Sequence, residues 1–179
     1  MAQASLKKLK RFWKIASRVE QVGANALTKA FKLKPVIWPQ LSLKEFLQDQ
    51  LGKKVYALFD QKYYFVPWGD WQNLIEVDWV DTKTYLKDRR DCDNFSFAFA
   101  SRMSILYGLN TAGVVRAERY DRETGEKVGH LFNAIVTREG GQFKLYWYEP
   151  QTDQWSLHQK GRKPKIGKWE YTPTWFFYF

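Results

Sequence analysis

The sequence predicts an α+β protein in which helices come first and an antiparallel sheet follows. Residues 92–107 repeat their apolar side chains at helical spacing, whereas residues 111–149 fall into runs typical of strands. With 45% hydrophobic and 18% aromatic residues in 179 positions, the chain can bury a core, which excludes an intrinsically disordered protein. We therefore expect a helix packed on the sheet, with helices covering one sheet face.

Residues 1–34 are expected to form a basic amphipathic helical arm that precedes a domain at 35–179. Nine of the 29 Lys and Arg residues, but one of the 19 acidic residues, fall in the arm, so the rest of the chain is nearly neutral. Pro35 and Pro39 exclude a helix directly after it. The partner could be an acidic protein, an anionic membrane surface or a nucleic acid, and a solvated helix face is an equal alternative. The apolar arm residues recur every three or four positions: Leu6, Leu9, Phe12, Trp13, Ala16, Val19 and Val22.

Residues 35–79 begin with a helix and continue with short strands. Ser42 and Glu45 have the spacing of a capping box, and Gly52 stands where a helix ends, so we expect a helix between them. Residues 55–60 and 62–66 are rich in aromatic side chains and predict two strands. An irregular stretch is expected around three tryptophans: Trp68, Trp71 and Trp79.

The second half predicts one core helix and an antiparallel sheet. The helix spans Cys92–Tyr107 and is closed by Gly108. The aromatic C-terminus, 175–179, predicts an edge strand, the alternative being a tail that docks on a partner. Three strands are expected at 111–119, 130–139 and 142–149, the last two joined at Gly140-Gly141.

Cys92 is the only cysteine, so an internal disulfide is excluded, and with two histidines a structural zinc site is not expected. At a helix N-terminus, unpaired backbone amides stabilise a thiolate, and Arg89 and Arg90 would add to this effect. Asp91 and Asp93 would oppose it, since negative charge raises the pKa of a thiol. The alternative is a small buried apolar side chain without chemistry.

His130 and Glu149 provide the groups that an active thiol needs. A thiol nucleophile requires an imidazole to take its proton, and a third group to orient the ring. In a hairpin that turns at Gly140-Gly141, facing residue numbers sum to about 281, so position 130 lies opposite about 151. Glu149 and Gln151 then share a face within reach of His130, and Cys92, His130 and Glu149 become a candidate catalytic set. The alternatives are a hydrogen-bonded core histidine and a solvated carboxylate at a strand end.

Three short blocks carry a family resemblance. Asp91-Cys92-Asp93-Asn94-Phe95, Gly129-His130-Leu131-Phe132-Asn133 and Glu149-Pro150-Gln151-Thr152 resemble the cysteine, histidine and acidic blocks of papain-like and transglutaminase-like cysteine peptidases. The likeness is greatest to the agglutinin-type protease domains, represented by the fairy-ring mushroom agglutinin and its bacterial and phage relatives. It covers residues 75–157, under half of the chain.

The resemblance implies a papain-like fold and a cysteine hydrolase that cleaves peptide or amide bonds in a protein or peptide substrate through an acyl-enzyme. Cys92 would be the nucleophile, His130 the general base and acid, and Glu149 the residue that orients His130. Gln61 and Gln72 are the two candidates for the oxyanion donor. Calcium dependence is also implied, with Asp93 and Glu149 as candidate ligands. Transglutaminase-type amide exchange uses the same residues and stays open.

The alternative from another class is a structural or interaction protein that keeps this fold without turnover, such as a phage virion component. The basic arm and aromatic tail suit a subunit of a homo- or hetero-oligomeric assembly. No secretory signal and no membrane-spanning run is apparent in the sequence, and disulfides are excluded. We therefore expect a cytoplasmic or virion location.

Overall fold

The computed structural model describes residues 2–52 and 55–179, with side chains described for 14–52 and 56–179. Two compact units result, Met1–Leu33 and Lys34–Phe179. The helices are α1 (Ala2–Ala30), α2 (Gln40–Leu51), α3 (Trp68–Val77) and α4 (Cys92–Tyr107). The strands are β1 (Val36–Pro39), β2 (Val55–Leu58), β3 (Lys62–Phe65), β4 (Ala112–Asp121), β5 (Lys127–Glu139), β6 (Gln142–Glu149), β7 (Gln154–Leu157), β8 (Lys165–Ile166) and β9 (Trp169–Tyr178).

The first unit is built on α1, which confirms the helix expected in the arm. Ile15, Val19 and Val22 recur on one face of α1 and are exposed. The apolar arm residues before Lys14 lie outside the part of the chain whose side chains are described. Within the described residues, no helix combines the length and the apolar character that crossing a bilayer requires.

The second unit is organised around one large sheet with the order β2-β9-β4-β5-β6-β7, to which β8 adds at β9. β4, β5 and β6 form an antiparallel meander, and β9 returns to pair with β4. β1 and β3 form a separate antiparallel pair. The sequence predicted an antiparallel sheet. Because β2 runs parallel to β9, the sheet is mixed instead.

Helices cover both faces of this sheet, which corrects the expectation of a single covered face. On one face, Leu43 and Leu47 of α2 join the buried cluster that contains Phe132 and Trp147. On the opposite face, Phe99 of α4 contacts Tyr148, with ring centroids 4.5 Å apart. Successive residues of a strand point to opposite faces of the sheet. Because both faces are covered by helices here, β5 and β6 have almost continuous apolar sequences.

The hairpin that carries the predicted site has the expected register. Asn133 pairs with Tyr148 and Glu139 with Gln142, so the facing numbers sum to 281. Gly140 and Gly141 have φ of 55° and 83°, a conformation that glycine adopts without the steric cost of a side chain. The helix at Cys92–Tyr107 is confirmed at both ends, and Gly108 closes it with φ of 68°.

Three other expectations about elements are wrong. The stretch expected to be irregular forms α3, which buries Trp68 and Trp71. The second helix begins at Gln40 after Pro39, two residues before the predicted capping box, and has no side-chain cap. The aromatic C-terminus belongs to β9, which lies between β2 and β4 and is therefore an interior strand. The papain-like label for the whole arrangement stays a prediction.

Candidate functional site: a thiol, an imidazole and a carboxylate

Cys92 is the first residue of α4, and the local sequence fixes that helix end. Asp91 is the N-cap residue, and its backbone N–H donates to Oδ1 of Asn94 at 3.1 Å in a capping box. The side chain of Cys92 is partly buried. The thiol therefore stands at the positive end of a 16-residue helix, where a negative charge is stabilised.

His130 and Glu149 form a close buried pair across the hairpin. Nε2 of His130 lies 2.6 Å from Oε2 of Glu149, and the two residues are 3% and 6% exposed. A carboxylate accepts hydrogen bonds, so Nε2 is the nitrogen that donates. The other carboxylate oxygen, Oε1, is buried without a partner among the described residues. Glu149 therefore fixes both the orientation and the tautomer of the imidazole, and leaves Nδ1 for a second partner.

That second partner is Cys92, because the Cys92 thiol and the His130 ring each shift the pKa of the other. Burial raises the pKa of the Cys92 thiol. The interactions with His130 and with the Leu131 backbone lower this pKa by more in total, so the net pKa lies below the ordinary 9.0. Burial lowers the pKa of His130, whereas its bonds to Cys92 and Glu149 raise it, and the net pKa lies above 6.5. Opposite shifts on the two partners favour a thiolate–imidazolium pair.

The two aspartates beside the thiol differ in their effect. The charge of Asp91 opposes thiolate formation, as the sequence suggested. A side-chain hydrogen bond with Asp91 raises the pKa of Asp93, so Asp93 more readily carries a proton that relieves part of the local negative charge. The structure thus gives Asp93 a partner in the cap, while Glu149 is bound to His130. No group of three or more potential ligands for a metal ion occurs among the described residues, and the calcium expectation finds no support in the fold.

Sequence reasoning missed two residues that border the site. The guanidinium of Arg119 lies 4.0 Å from the ring centre of Trp169, and its charge lowers the pKa of His130. Burial raises the pKa of the Tyr85 phenol, and the charge of the nearby Cys92 thiolate raises it as well. Strand alternation could have identified Arg119, because Ala117 faces His130 and position 119 shares that face.

The structure describes no contact between the thiol and either candidate oxyanion donor. Gln61 and Gln72 are exposed, and no contact described for either one reaches Cys92 or His130. Gln61 follows Asp60, whose carboxylate accepts a hydrogen bond from Asn110 just before β4. His130 faces Ala117 in the middle of β4, roughly 17 Å beyond the first residue of that strand at about 3.3 Å per residue. The backbone of Leu131, in contrast, is close enough to the thiol to lower the pKa of Cys92.

No protein-family model and no curated protein matches the chain. Solved structures do match, among them PSL1a in complex with E64 and the Polyporus squamosus lectin bound to the human-type influenza-binding epitope Neu5Acα2-6Galβ1-4GlcNAc. Each has 14% sequence identity and a TM-score of 0.58 over 79% of this chain. This chain spans about half of their length, 51% and 49%. At this identity the likeness shows the fold alone.

These findings correct the family identification made from the sequence. These two structures are of a protein named as a lectin and not as a peptidase, so the membership of the papain-like, transglutaminase-like and agglutinin-type protease families is withdrawn. The predicted cysteine hydrolase function and the enzyme assignment are withdrawn with it, and neither structure supports the phage or virion expectation. The carbohydrate epitope also differs in kind from the predicted peptide substrate. The three short blocks indicate how a thiol is activated, but this alone does not define a hydrolase.

Proposed function

We propose that the domain is a binding module with a reactive thiol, in which Cys92 forms a covalent bond with an electrophilic ligand. His130 is the proton donor and acceptor of this site, and Glu149 is a positioning residue that acts through His130. The observation that carries the proposal is the buried 2.6 Å pair of His130 and Glu149, beside a thiol whose pKa the same imidazole lowers. The proposal is limited to bond formation at sulfur and includes no cleavage of a peptide bond.

The chemistry needs only groups that the site holds. With an epoxide as the ligand, the Cys92 thiolate attacks a ring carbon, a C–S bond forms and the C–O bond of the ring breaks. The oxygen leaves as an alkoxide and takes the proton from the His130 imidazolium, which becomes neutral. The net result is addition of the thiol across the epoxide, with no other reactant.

The surroundings support such a step. A cavity of about 450 Å³ borders the first turn of α4, the helix that begins with Cys92, and is lined in part by Trp79, Asn94 and Phe95, although not by Cys92 itself. The buried Glu149 carboxylate stabilises the imidazolium and holds the ring in one orientation, because ionised groups in low dielectric need a fixed partner. The fold neighbour PSL1a is described as forming a complex with E64, an epoxide, which makes E64 a suitable first probe.

The test is to incubate the full chain with E64 and to measure the intact mass. We expect one adduct per chain, located at Cys92 by peptide mapping. Cys92→Ser should abolish the adduct, and His130→Ala should slow its formation. Unmodified protein after prolonged incubation would contradict the proposal, provided that iodoacetamide labels the same sample and so shows that the thiol is reduced and accessible. Equal rates for the native chain and His130→Ala would contradict the role of His130.

Carbohydrate binding is a second candidate, and one specific finding favours it: the fold neighbour was solved with a bound sialylated trisaccharide epitope. For this function to apply here, the half of the lectin that matches this chain must itself hold the glycan. Titration of the chain with that trisaccharide, followed by NMR, tests this directly. Saturable shifts would support glycan binding, and unchanged spectra at millimolar ligand would exclude this epitope. Cys92→Ser should leave any such binding intact, which separates the two candidate functions.

A further inference from the structure

A second cavity, which none of Cys92, His130 and Glu149 lines, lies between the end of α2 and the segment after β7. Its volume is about 530 Å³, and Trp147, His158 and Tyr171 contribute to its wall. A neighbouring cavity of about 480 Å³ shares Trp147, Arg162, Lys163 and Pro164 with it. The two therefore border the same short segment of chain.

Two buried polar atoms of this wall have no partner among the described residues. Trp147 is 1% exposed, and its indole N–H has no acceptor. Nε2 of His158 lies 3.2 Å from the carbonyl oxygen of Gln50 and donates to it, which leaves Nδ1 buried and without a partner. Burial lowers the pKa of His158, so the ring is neutral near pH 7 and Nδ1 is a hydrogen-bond acceptor. Unpaired buried donors and acceptors are costly and usually indicate an absent partner.

Cationic side chains surround these two atoms. Lys160, Arg162 and Lys163 line the larger cavity, and Asp49 is the carboxylate among its lining residues. Asp49 is already paired with Lys160 at 2.5 Å, and Lys163 is paired with Glu170 at 3.1 Å. None of the ion pairs formed by the described residues uses Arg162. Its guanidinium is therefore the cation most ready to receive a ligand anion.

We propose that this cavity binds a small hydroxylated anion, such as a sugar acid or a sugar phosphate. The anionic oxygens accept hydrogen bonds from the Trp147 indole N–H and from Arg162, and a ligand hydroxyl donates to Nδ1 of His158. An uncharged sugar leaves the cation unmatched, and a simple anion leaves the His158 acceptor unpaired. This inference goes beyond the thiol chemistry of Cys92 and does not depend on it.

The test uses the indole ¹⁵N–¹H spectrum of the full chain, in which the Trp147 signal is assigned by Trp147→Phe. The ligands are D-glucuronate and glucose 6-phosphate, with glucose as the uncharged control. We expect saturable shifts of the Trp147 signal with one or both anions, and whichever anion binds identifies the carboxylate or the phosphate as the preferred group. No shift with either anion, or an equal shift with glucose, would overturn the proposal.

A matched pair of variants tests the role of charge. Arg162→Ala should weaken anion binding by about tenfold or more, the usual effect of losing a charge-assisted hydrogen bond. Lys44→Ala removes an exposed cation of α2 that is not among the residues lining the cavity, and should leave the affinity unchanged. Equal affinity for Arg162→Ala and the native chain would overturn the assignment. Both side chains are exposed, so neither replacement removes a residue of the buried core. The titration of the native chain tests the proposal independently of the two variants.

Discussion

The two histidines of the chain each contact an aromatic ring, but their pKa values are shifted in opposite directions. His130 stacks near Phe132 with ring centroids 6.3 Å apart, and His158 meets Trp147 edge-on at 5.4 Å. His130, however, has a thiol and a carboxylate as partners, and its pKa lies above 6.5. His158 has a backbone carbonyl as partner, and its pKa lies below 6.5.

The difference shows that burial alone does not determine what a histidine does. Burial lowers the pKa of both rings, since it penalises the charged form. Only the partners at the end of the hairpin reverse this effect at His130. The same desolvated imidazole is therefore an acid–base group at one place and a neutral acceptor at the other.

The largest effect that would test this comparison is on the reactivity of Cys92. His130→Ala should slow alkylation by iodoacetamide at pH 7 by about a hundredfold, because the thiol loses its proton acceptor. That factor corresponds to about 2.7 kcal/mol of activation free energy. In the native chain, the pH profile of the rate should have its midpoint below 9.0, the ordinary pKa of the thiol.

Two carboxylate variants control for this measurement. Glu149→Gln should also slow alkylation, because an amide does not stabilise the imidazolium, whereas Glu45→Gln, at an exposed position on α2, should not. If His130→Ala reacts as fast as the native chain, His130 is no more active than His158 and the comparison fails.

A second prediction tests whether β4, the strand that pairs with the His130 strand, is as tightly packed as the structure shows. A methyl group at Gly113 on β4 would lie 2.5 Å from the ring of Tyr178, which is fully buried. Gly113→Ala should therefore lower the free energy of unfolding by about 2 kcal/mol, measured by urea denaturation. Gly129→Ala, next to His130, has open space around the new methyl and should change stability far less. Equal losses in the two variants would contradict this packing.

The part of the site that could be predicted from the sequence is the part that local rules determine. The Gly140-Gly141 turn sets the register of the hairpin, and the register brings Glu149 to His130. The position of Arg119 follows from strand alternation but depends on knowing that β4 pairs with β5. The sequence did not identify which backbone N–H faces the sulfur, since that depends on how α4 docks.

The misjudged elements depend on long-range packing. Trp68, Trp71 and Ile75 have helical spacing, but Gly69 and the strand preference of tryptophan obscured it. The interior place of β9 depends on pairing with β2, more than a hundred residues earlier, and no local pattern encodes that partner. A family assignment from three short blocks failed for a related reason, because the blocks describe local chemistry and not the whole protein.

A third, smaller effect concerns the helix end that presents Cys92 to His130, a feature that the His158 segment lacks. Asn94→Ala removes the side chain that accepts from the Asp91 N–H, and should lower the free energy of unfolding by about 1 kcal/mol. Alkylation of Cys92 should slow as well, because the frayed first turn loosens the thiol. Asn73→Ala, at an exposed position within α3, provides the control and should cost no stability. An unchanged alkylation rate in Asn94→Ala would show that the cap does not position the thiol.

The smallest predicted effect is the most specific, because the two histidines should alter the pH dependence of stability with opposite signs. A raised pKa means that folded His130 binds its proton more tightly than the unfolded chain does, so its contribution is complete below pH 6.5 and is lost as the pH rises through the folded pKa. A lowered pKa at His158 costs stability as the pH falls below 6.5 towards its folded pKa.

Each histidine contributes at most about 1.4 kcal/mol per pH unit, so urea unfolding should be followed at closely spaced pH values between 5 and 8. His158→Gln should reduce the loss of stability on the acid side of pH 6.5. His130→Gln should remove the rise in stability that the native chain shows as the pH falls from the folded pKa of His130 to 6.5, so the slope changes above pH 6.5 and not on the acid side. Changes of the same sign would mean that both imidazoles respond to burial alone, and that Glu149 and Cys92 do not keep the His130 ring charged.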